Sequence, residues 1–337
     1  MKKNIFCLAL LSLLVFLPLF SYAQVMPEAE AAVIPAASEK EIAQDMALAE
    51  ADYAGMKLDK GRQRLDSIIA IQAVEEEDEP LAHEIDNVVR YFPKQSVNGA
   101  DGKVRVTQEE FEYSYETKIS GKLPIQFGLS TNYIGIDNST NVKVPAHLTS
   151  VTGGIDVTMP FFNVDKTYFR FGLRPTAASD NWNFKASSFR LPGRAIVAYK
   201  PNEKLVLAVG FAVYPGYESP YTPFGGIFYK PNEKWTFNLM PENPTVSYYF
   251  NKDLSLFVEA NMSNIEFKVR KDNLDNVGLA YKEKHLGLGF EYKLNKNIRG
   301  SISSGYSFGR SLKYRDSLGK ISMKNGYYTE FMLQLNM

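Results

Sequence analysis

From about residue 100 to the end of the chain, apolar residues alternate with small or charged ones at a period of two. The clearest segments are 169–173, 205–213, 265–269 and 286–293. Because successive side chains of a strand point to opposite faces, each segment has one continuous apolar face. The pattern predicts an all-β domain. The apolar face would meet a second sheet in a soluble sandwich, or lipid in a membrane barrel.

The phase of the alternation changes at two places, near residues 263–264 and near residues 284–285. An extra residue in one strand shifts the side chains to the other face, so both places are predicted to be β-bulges.

A turn motif recurs four times: Tyr, two residues, Asn, two residues and then a large apolar residue. Its members are Tyr199/Asn202/Leu205, Tyr229/Asn232/Trp235, Tyr248/Asn251/Leu254 and Tyr292/Asn295/Ile298. Asn suits the backbone angles of tight turns. The flanking aromatic residues are spaced as in the girdle at a membrane–water boundary. We interpret the four motifs as short periplasmic turns.

The connections between these turns are longer and polar, and they fall at 137–144, 177–183, 215–222, 271–276 and 315–324. Short turns at one end and longer loops at the other are typical of outer-membrane barrels. The chain also ends on a strand whose apolar face includes Met337. Residues 96–337 are therefore predicted to form a transmembrane antiparallel up-and-down β-barrel.

The strand count is predicted as twelve to fourteen. Thirteen segments follow residue 103, and a closed barrel with both ends on one side needs an even number. Either residues 85–97 supply a fourteenth strand, or one segment near 235–250 or 278–294 is miscounted and there are twelve.

Residues 1–23 have the form of a secretory signal peptide. Lys2 and Lys3 precede an apolar run over 5–20, and Ser21-Tyr22-Ala23 offers small residues for cleavage before Gln24. The alternative is an uncleaved membrane anchor. Cys7 is the single cysteine of the chain. The cleaved protein would therefore have no thiol nucleophile and no thiolate metal site.

Residues 24–95 carry 16 acidic and 7 basic residues, whereas the chain beyond 95 carries 22 acidic and 29 basic ones. Ser38 and Glu41 have capping-box spacing before an apolar helical pattern, and the acidic run 75–79 lacks the ligand pattern of a calcium loop. We predict an acidic, partly helical and partly disordered periplasmic extension. The opposite charges suggest the hypothesis that it plugs the barrel.

The stretch from about 100 to 337 resembles outer-membrane β-barrel families known only as domains of unknown function. The residues that carry the resemblance are 229–235 (Tyr-Lys-Pro-Asn-Glu-Lys-Trp), 244–256 and 305–310. It implies residence in the outer membrane, among its lipid and lipopolysaccharide, after insertion by the barrel-assembly machinery. It supplies no catalytic residue and no cofactor.

Charged residues on the non-apolar faces are the candidates for a pore lining, since opposed charges set the selectivity of channels. They are Glu110, Glu112, Glu116, Arg170, Arg174, Glu259, Glu266, Lys268, Arg270, Glu291, Lys293 and Arg299. Alternatively, these charges pair with one another across a closed interior.

The leading hypothesis is a passive pore, a small-solute transporter or a structural envelope protein without enzymatic activity. One alternative is an enzyme on lipid or lipopolysaccharide that uses His147 or His285. Another is a soluble exported β-sandwich that binds a partner. Motifs for cofactors, metals or nucleic acid are not visible in the sequence.

Overall fold

The computed structural model describes residues 82–119, 123–162, 164–182, 184–217, 219–241, 243–272, 274–315 and 318–337. The predicted signal peptide and most of the predicted acidic extension lie outside these residues. Within the described part of the chain, no helix is long and apolar enough to cross a membrane.

The described chain is almost entirely strand, with one short 3₁₀-helix at Ala186–Ser188. The strand segments are β1 (Ala82–Val97), β2 (Ala100–Ile119), β3 (Leu123–Asn138), β4 (His147–Pro160), β5 (Thr167–Leu173), β6 (Thr176–Ser179), β7 (Phe189–Arg190), β8 (Gly193–Asn202), β9 (Leu205–Val213), β10 (Tyr221–Asn232), β11 (Trp235–Asn238), β12 (Thr245–Tyr249), β13 (Leu254–Lys271), β14 (Leu274–Lys293), β15 (Ile298–Tyr314), β16 (Lys320–Ser322) and β17 (Gly326–Asn336).

Three pairs of segments each continue one strand across a short interruption. They are β5 with β6, β7 with β8, and β16 with β17, because both members of each pair bond to the same neighbouring strand. Counted in this way, the described chain contains fourteen strands, each antiparallel to its two neighbours in sequence.

The sheet closes on itself because β1 pairs with β2 on one side and with β17 on the other, from Glu84↔Asn336 to Tyr91↔Thr329. This ring confirms the antiparallel up-and-down barrel and excludes the sandwich. It also confirms that the fourteenth strand comes from the stretch 85–97.

The predicted start of the barrel at residue 96 is wrong, since β1 begins at Ala82. The reason is visible in its side chains. Val88 and Phe92 are buried inside, whereas Val89 and Tyr91 lie on the more exposed outer face. With apolar residues on both faces, the alternation that identifies the other strands is hidden.

Both ends of the described barrel and all the short motif turns lie at one rim, which we call the near rim. At the far rim, loops join β3 to β4, β6 to β7 and β9 to β10. The predicted loop at 271–276 is wrong. β13 ends at Lys271 and β14 begins at Leu274, with Asp272 in the left-handed region (φ 53°). The two long strands stay paired up to Lys271 and Leu274, so only a tight turn is needed between them.

The barrel is apolar outside and polar inside. Its exposed outer residues include Phe111, Phe127, Leu129, Ile155, Phe171, Val209, Phe211, Leu288, Phe290, Ile302, Phe331 and Leu333. Its buried interior residues include Asp86, Arg90, Gln108, Asp156, Arg170, Arg194, Lys200, Glu259, Glu283, Glu291, Arg299 and Glu330. A soluble domain has the reverse distribution, because charged side chains are almost never fully buried unless paired.

Towards the far rim, one part of the interior becomes apolar. We call this group the far core, and its buried members include Phe92, Val106, Ile134, Leu148, Phe267, Leu279, Tyr281, Leu312 and Tyr328. The far core lies among β1–β4, β6 and β13–β17. A parallel bridge from Ser179 of β6 to Lys268 of β13 joins strands that are not neighbours in the ring. The far end of the barrel is thus divided.

A bulge lies near one of the two predicted places, although its extra residue is in the neighbouring strand β15 and β14 keeps its phase, and the other predicted bulge is wrong. Pairing of β14 with β15 shifts between Lys282 and Lys284, opposite Gly309, whose φ is 64°. Pairing of β13 with β14 instead runs without a shift through Ser263 and Asn264. What changes there is the chemistry of the inner face, which passes from Glu259 into the far core at Phe267.

Candidate functional site in the barrel interior

A cluster of three arginines around one aspartate lies inside the wall formed by β4, β5 and β8. Asp156 accepts hydrogen bonds from Arg170 (3.3 Å), from Arg194 (2.8 and 3.1 Å) and from Arg174 (3.1 Å). Gly172 makes this approach possible, since a Cβ at that position would lie 2.2 Å from the Asp156 carboxylate. One carboxylate thus holds three guanidinium groups together on this wall of the interior.

A second polar network connects β1, β2, β14 and β17. Arg90 donates to Glu330 (2.5 and 2.7 Å) and to Gln108 (2.6 Å), and Gln108 donates to Glu283 (3.3 Å). Glu283 is also bonded to His285 Nδ1 at 3.0 Å and accepts from Tyr281. These side chains are buried next to the far core, and together the two groups fill this half of the interior.

Most of the predicted pore-lining residues face the interior. On β2, Glu110, Glu112 and Glu116 are half-buried and alternate with outward aromatic residues. Glu110 accepts a hydrogen bond from Asn132 at 3.0 Å.

The remaining predicted acids on β13 and β14 are buried with partners. Glu259 accepts from Ser303 (2.8 Å) and Tyr328 (3.4 Å), and Glu291 lies 3.9 Å from Arg299. Lys293 is half-buried and lies opposite Arg299 in the register of the two strands. The inward charges are therefore largely engaged with one another.

Three predicted pore-lining residues do not face the interior. Phe267 and Val269 point into the far core, so Glu266, Lys268 and Arg270 lie on the opposite face of β13. The prediction assumed that apolar residues face outward, and that rule fails where a strand enters an apolar interior.

On that opposite face, Glu266 anchors residues of the far-rim loops. Arg315 bonds to the Glu266 carboxylate at 2.5 Å, and the Arg190 guanidinium donates to the Glu266 carbonyl. Arg190 also stacks on Tyr217 at 5.1 Å from the ring centre. Burial raises the pKa of the Tyr217 phenol above its usual value, so Tyr217 is neutral beside these charges.

Sequence reasoning did not identify Arg90, Asp156, Arg194, Glu283 and Glu330, although each has interior contacts as close as those of the predicted residues. Arg194 and Glu330 occupy the small or polar positions of alternating segments, so the period-two signal could have found them. Arg90 lies on β1, where the signal is hidden.

The second half of the interior contains a smaller apolar group, which we call the inner apolar cluster. It consists of Tyr168, Ala198, Val206, Ala208 and Phe228, with Ile196 and Met240 packed against it. The inner face of β9 carries the small residues Ala208, Gly210 and Ala212, and the Phe224 ring lies over Gly210, where an added Cβ would be 2.8 Å from it.

The four motif asparagines all bond within their turns. The side-chain oxygens of Asn232, Asn251 and Asn295 each accept two backbone N–H groups at 2.8–3.1 Å. Asn202 accepts one, from Lys204 at 2.9 Å. The predicted turns are therefore confirmed.

The motif aromatics Tyr199, Tyr229 and Tyr292 are exposed on the outer wall, and Trp235 packs on Tyr248 at 4.9 Å. Their role as a membrane girdle stays a prediction.

The two histidines of the enzyme alternative lie on opposite faces of the barrel wall, His285 on the inner face and His147 on the outer one. His285 is bonded to Glu283 and lies opposite Ser307, but it is only 2% exposed and faces the interior. His147 is half-buried and stacks on Tyr133. Among the described residues, no group of three or more acidic, His or Cys side chains could hold a metal ion.

Comparison with known proteins gives one family match. The model of a family described as "Domain of unknown function (DUF6268)" matches residues 166–336. No curated protein sequence matches the chain.

Several solved membrane channels have a similar outline. An outer membrane channel from Pseudomonas putida F1 is 10% identical, with 77% of this chain and 97% of that chain covered and a TM-score of 0.43. A TodX deltaS2S3 mutant monoaromatic hydrocarbon channel is 12% identical, with 78% and 92% covered and a TM-score of 0.40. The KdgM porin in complex with disordered oligogalacturonate is 11% identical, with 75% and 98% covered and a TM-score of 0.32.

Proposed function

The chain belongs to the family described as a domain of unknown function (DUF6268), and we propose that it is an outer-membrane barrel that passes small solutes passively through a restricted interior. The observation that carries the proposal is the distribution of side chains, apolar on the outer wall and charged within. Exposed apolar area on this scale would be unstable in water and is stable against lipid.

Export by the predicted signal peptide and insertion by the barrel-assembly machinery belong to the same proposal. They would bring the chain into contact with outer-membrane lipid and lipopolysaccharide. The near rim, with the ends of the described barrel and the short turns, would face the periplasm.

The filled half of the interior argues against a wide, general pore. Phe267, Leu279 and Tyr281 of the far core, and Glu283 of the adjoining network, are almost inaccessible to solvent. The route we propose instead follows the half lined by β5 and β8–β10, past the arginine cluster around Asp156 and the small side chains of Ala208 and Ala212. It is a restricted route, because these residues are also almost inaccessible to solvent.

Location is tested first, by fractionation of the host and electrophoresis of the membrane fraction with and without boiling. We expect enrichment in the outer membrane and a band whose mobility changes on heating, as for a closed barrel. A soluble periplasmic protein without such a change would overturn the proposal.

The route is tested with single cysteines, since the cleaved chain is expected to have none of its own. Ala212 is buried on the inner face of β9, and its neighbour Phe211 is exposed on the outer face. In planar bilayers we expect a low conductance. A bulky thiol reagent should reduce it in Ala212→Cys and leave Phe211→Cys unchanged.

A second candidate, a purely structural envelope protein, is favoured by the extent of interior packing. It predicts no conductance in either variant or in the parent chain. If the thiol reagent leaves the conductance of both Ala212→Cys and Phe211→Cys unchanged, the route lies elsewhere and the proposed route is refuted.

A further inference from the structure

The barrel wall is lowest at β11 and β12. These strands have 4 and 5 residues, whereas their neighbours β10 and β13 have 12 and 18. At about 3.3 Å per residue, four residues span roughly 13 Å. The apolar band of a membrane barrel is about 25 Å tall. In a membrane, the wall at this point therefore ends within the lipid.

The resulting gap, which we call the lateral window, has defined edges. Its lower edge is the connection between β11 and β12, where Leu239 N–H donates to Ile227 (2.7 Å) and Ala260 N–H donates to Pro244 (2.9 Å). Its upper edge is the contact of Arg190 with the Glu266 carbonyl.

Between these edges, in the part of the chain that the structure describes, β13 pairs with β14 alone over residues 261–265. On the opposite side of the window, β10 residues 221–225 pair with β9 alone. Strand edges facing lipid are costly, because their backbone groups find no water there. An opening of this kind is consistent with a functional passage.

The upper edge is held by far-rim loops. Arg315, in the connection between β15 and β16, bonds both to the Glu266 carboxylate (2.5 Å) and to the carbonyl of Gly216 (2.5 Å), so it ties the loop between β9 and β10 to β13. The window is thus bounded on all four sides.

The inner apolar cluster lies next to the lower edge of the window, at the height of β11, because Phe228 pairs with Asn238 of that strand. Met240, from the lower edge, occupies the space above Gly226, where an added Cβ would lie 2.2 Å from the Met240 sulfur. Met240, in the connection between β11 and β12, therefore fills the volume that a larger side chain at residue 226 would occupy. Its unbranched side chain can leave that place by rotation alone.

We propose that the inner apolar cluster binds small neutral apolar molecules, which exchange with the bilayer through the lateral window when Met240 moves aside. A window that opens into hydrocarbon excludes charged solutes by their desolvation cost. The apolar lining matches a ligand without polar groups. The inference rests on the proposed membrane location. To the proposed function it adds the class of ligand and a second entrance, from the bilayer.

The test uses a small neutral aryl diazirine that partitions into lipid and labels its surroundings when irradiated. The full chain in vesicles is labelled, and the labelled residues are identified by mass spectrometry. Outer residues such as Leu288 should label without saturation. Tyr168 and Phe228 should label saturably, and excess naphthalene should compete.

Variants of Met240 and Gly226 test whether the interior residues are labelled at a binding site or by unspecific entry of the reagent. Met240→Ala should increase interior labelling several-fold, whereas Met159→Ala, on the exposed outer face of β4 and away from the window, should not change it. Gly226→Leu should abolish interior labelling. Gly300→Leu on β15 is its matched control, because that glycine faces outward, away from the window, and an added Cβ there meets nothing closer than 3.8 Å.

The proposal is overturned if Tyr168 and Phe228 remain unlabelled in both the parent chain and Met240→Ala, or if Gly226→Leu has no effect. Equal interior labelling by a carboxylate-bearing diazirine would refute the ligand class. Failure of labelling with the Ala212→Cys conductance block intact would leave the proposed function standing, so the two proposals fail separately.

Discussion

At the scale of single residues, the interior is organised by carboxylates that hold several cations. Asp156 is 1% exposed and contacts three guanidinium groups. Removing one partner from a buried ionic group is costly because the others stay buried without compensation. The same carboxylate at the surface would matter little, because water and salt screen it.

This difference gives a matched pair of variants. Asp156→Asn should lower the free energy of unfolding by on the order of 3 kcal/mol or more. Asp137→Asn, whose carboxylate is half-exposed and pairs with Arg105 (3.0 Å) and Lys94 (3.6 Å), should lower it by less than about 1 kcal/mol. Urea unfolding in lipid vesicles, followed by tryptophan fluorescence, measures both. Equal losses would show that the Asp156 cluster is not a stabilising centre.

At the scale of elements, the near rim repeats one type of turn, in which an asparagine side chain bonds to the backbone. In each motif turn, an asparagine side-chain oxygen accepts backbone N–H groups of the turn, two in three of the turns and one at Asn202. These hydrogen bonds join residues only two or three positions apart, so the sequence pattern could predict all four turns. Strand β1 shows the opposite case, since its assignment depends on which neighbours it pairs with.

The turns predict graded effects. Asn232→Ala removes an acceptor of two hydrogen bonds and should cost about 1–2 kcal/mol, whereas Asn202→Ala removes an acceptor of one and should cost about half as much. Asn232→Asp keeps the acceptor and should restore most of the loss. The order of the urea midpoints checks the assignment, and identical midpoints for the two alanine variants would contradict it.

At the scale of the whole molecule, closure depends on β1. It bonds to β2 along nearly its whole length and to β17 along half of it, so the ring is open without it. The acidic extension that precedes it remains a hypothesis, as either a plug or a periplasmic segment, because it lies outside the described residues.

Two deletions follow from this closure. A chain that lacks 24–81 behind its signal peptide should still give a heat-modifiable band, whereas one that lacks 24–97 should not, because β2 and β17 would be left as free edges. Conductance of the first deletion also tests the plug hypothesis, which predicts an increase. A heat-modifiable band from the longer deletion would show that thirteen strands suffice.

The sequence by itself determined the strand regions, the four tight turns and the outward apolar faces. These features arise from neighbours within about ten residues, such as Asn232 with Trp235 or Leu288 with Phe290. Local spacing records such features directly.

Only the tertiary structure decided what the interior contains. Glu266 was assigned to the wrong face because Phe267 is apolar without facing lipid, and Arg90 was missed because its partner Glu330 lies 240 residues away. The lateral window also depends on the short strands β11 and β12 lying between two tall ones. An interior contact joins strands that are distant in sequence, so the pattern of residues along one strand does not predict the partner on the other.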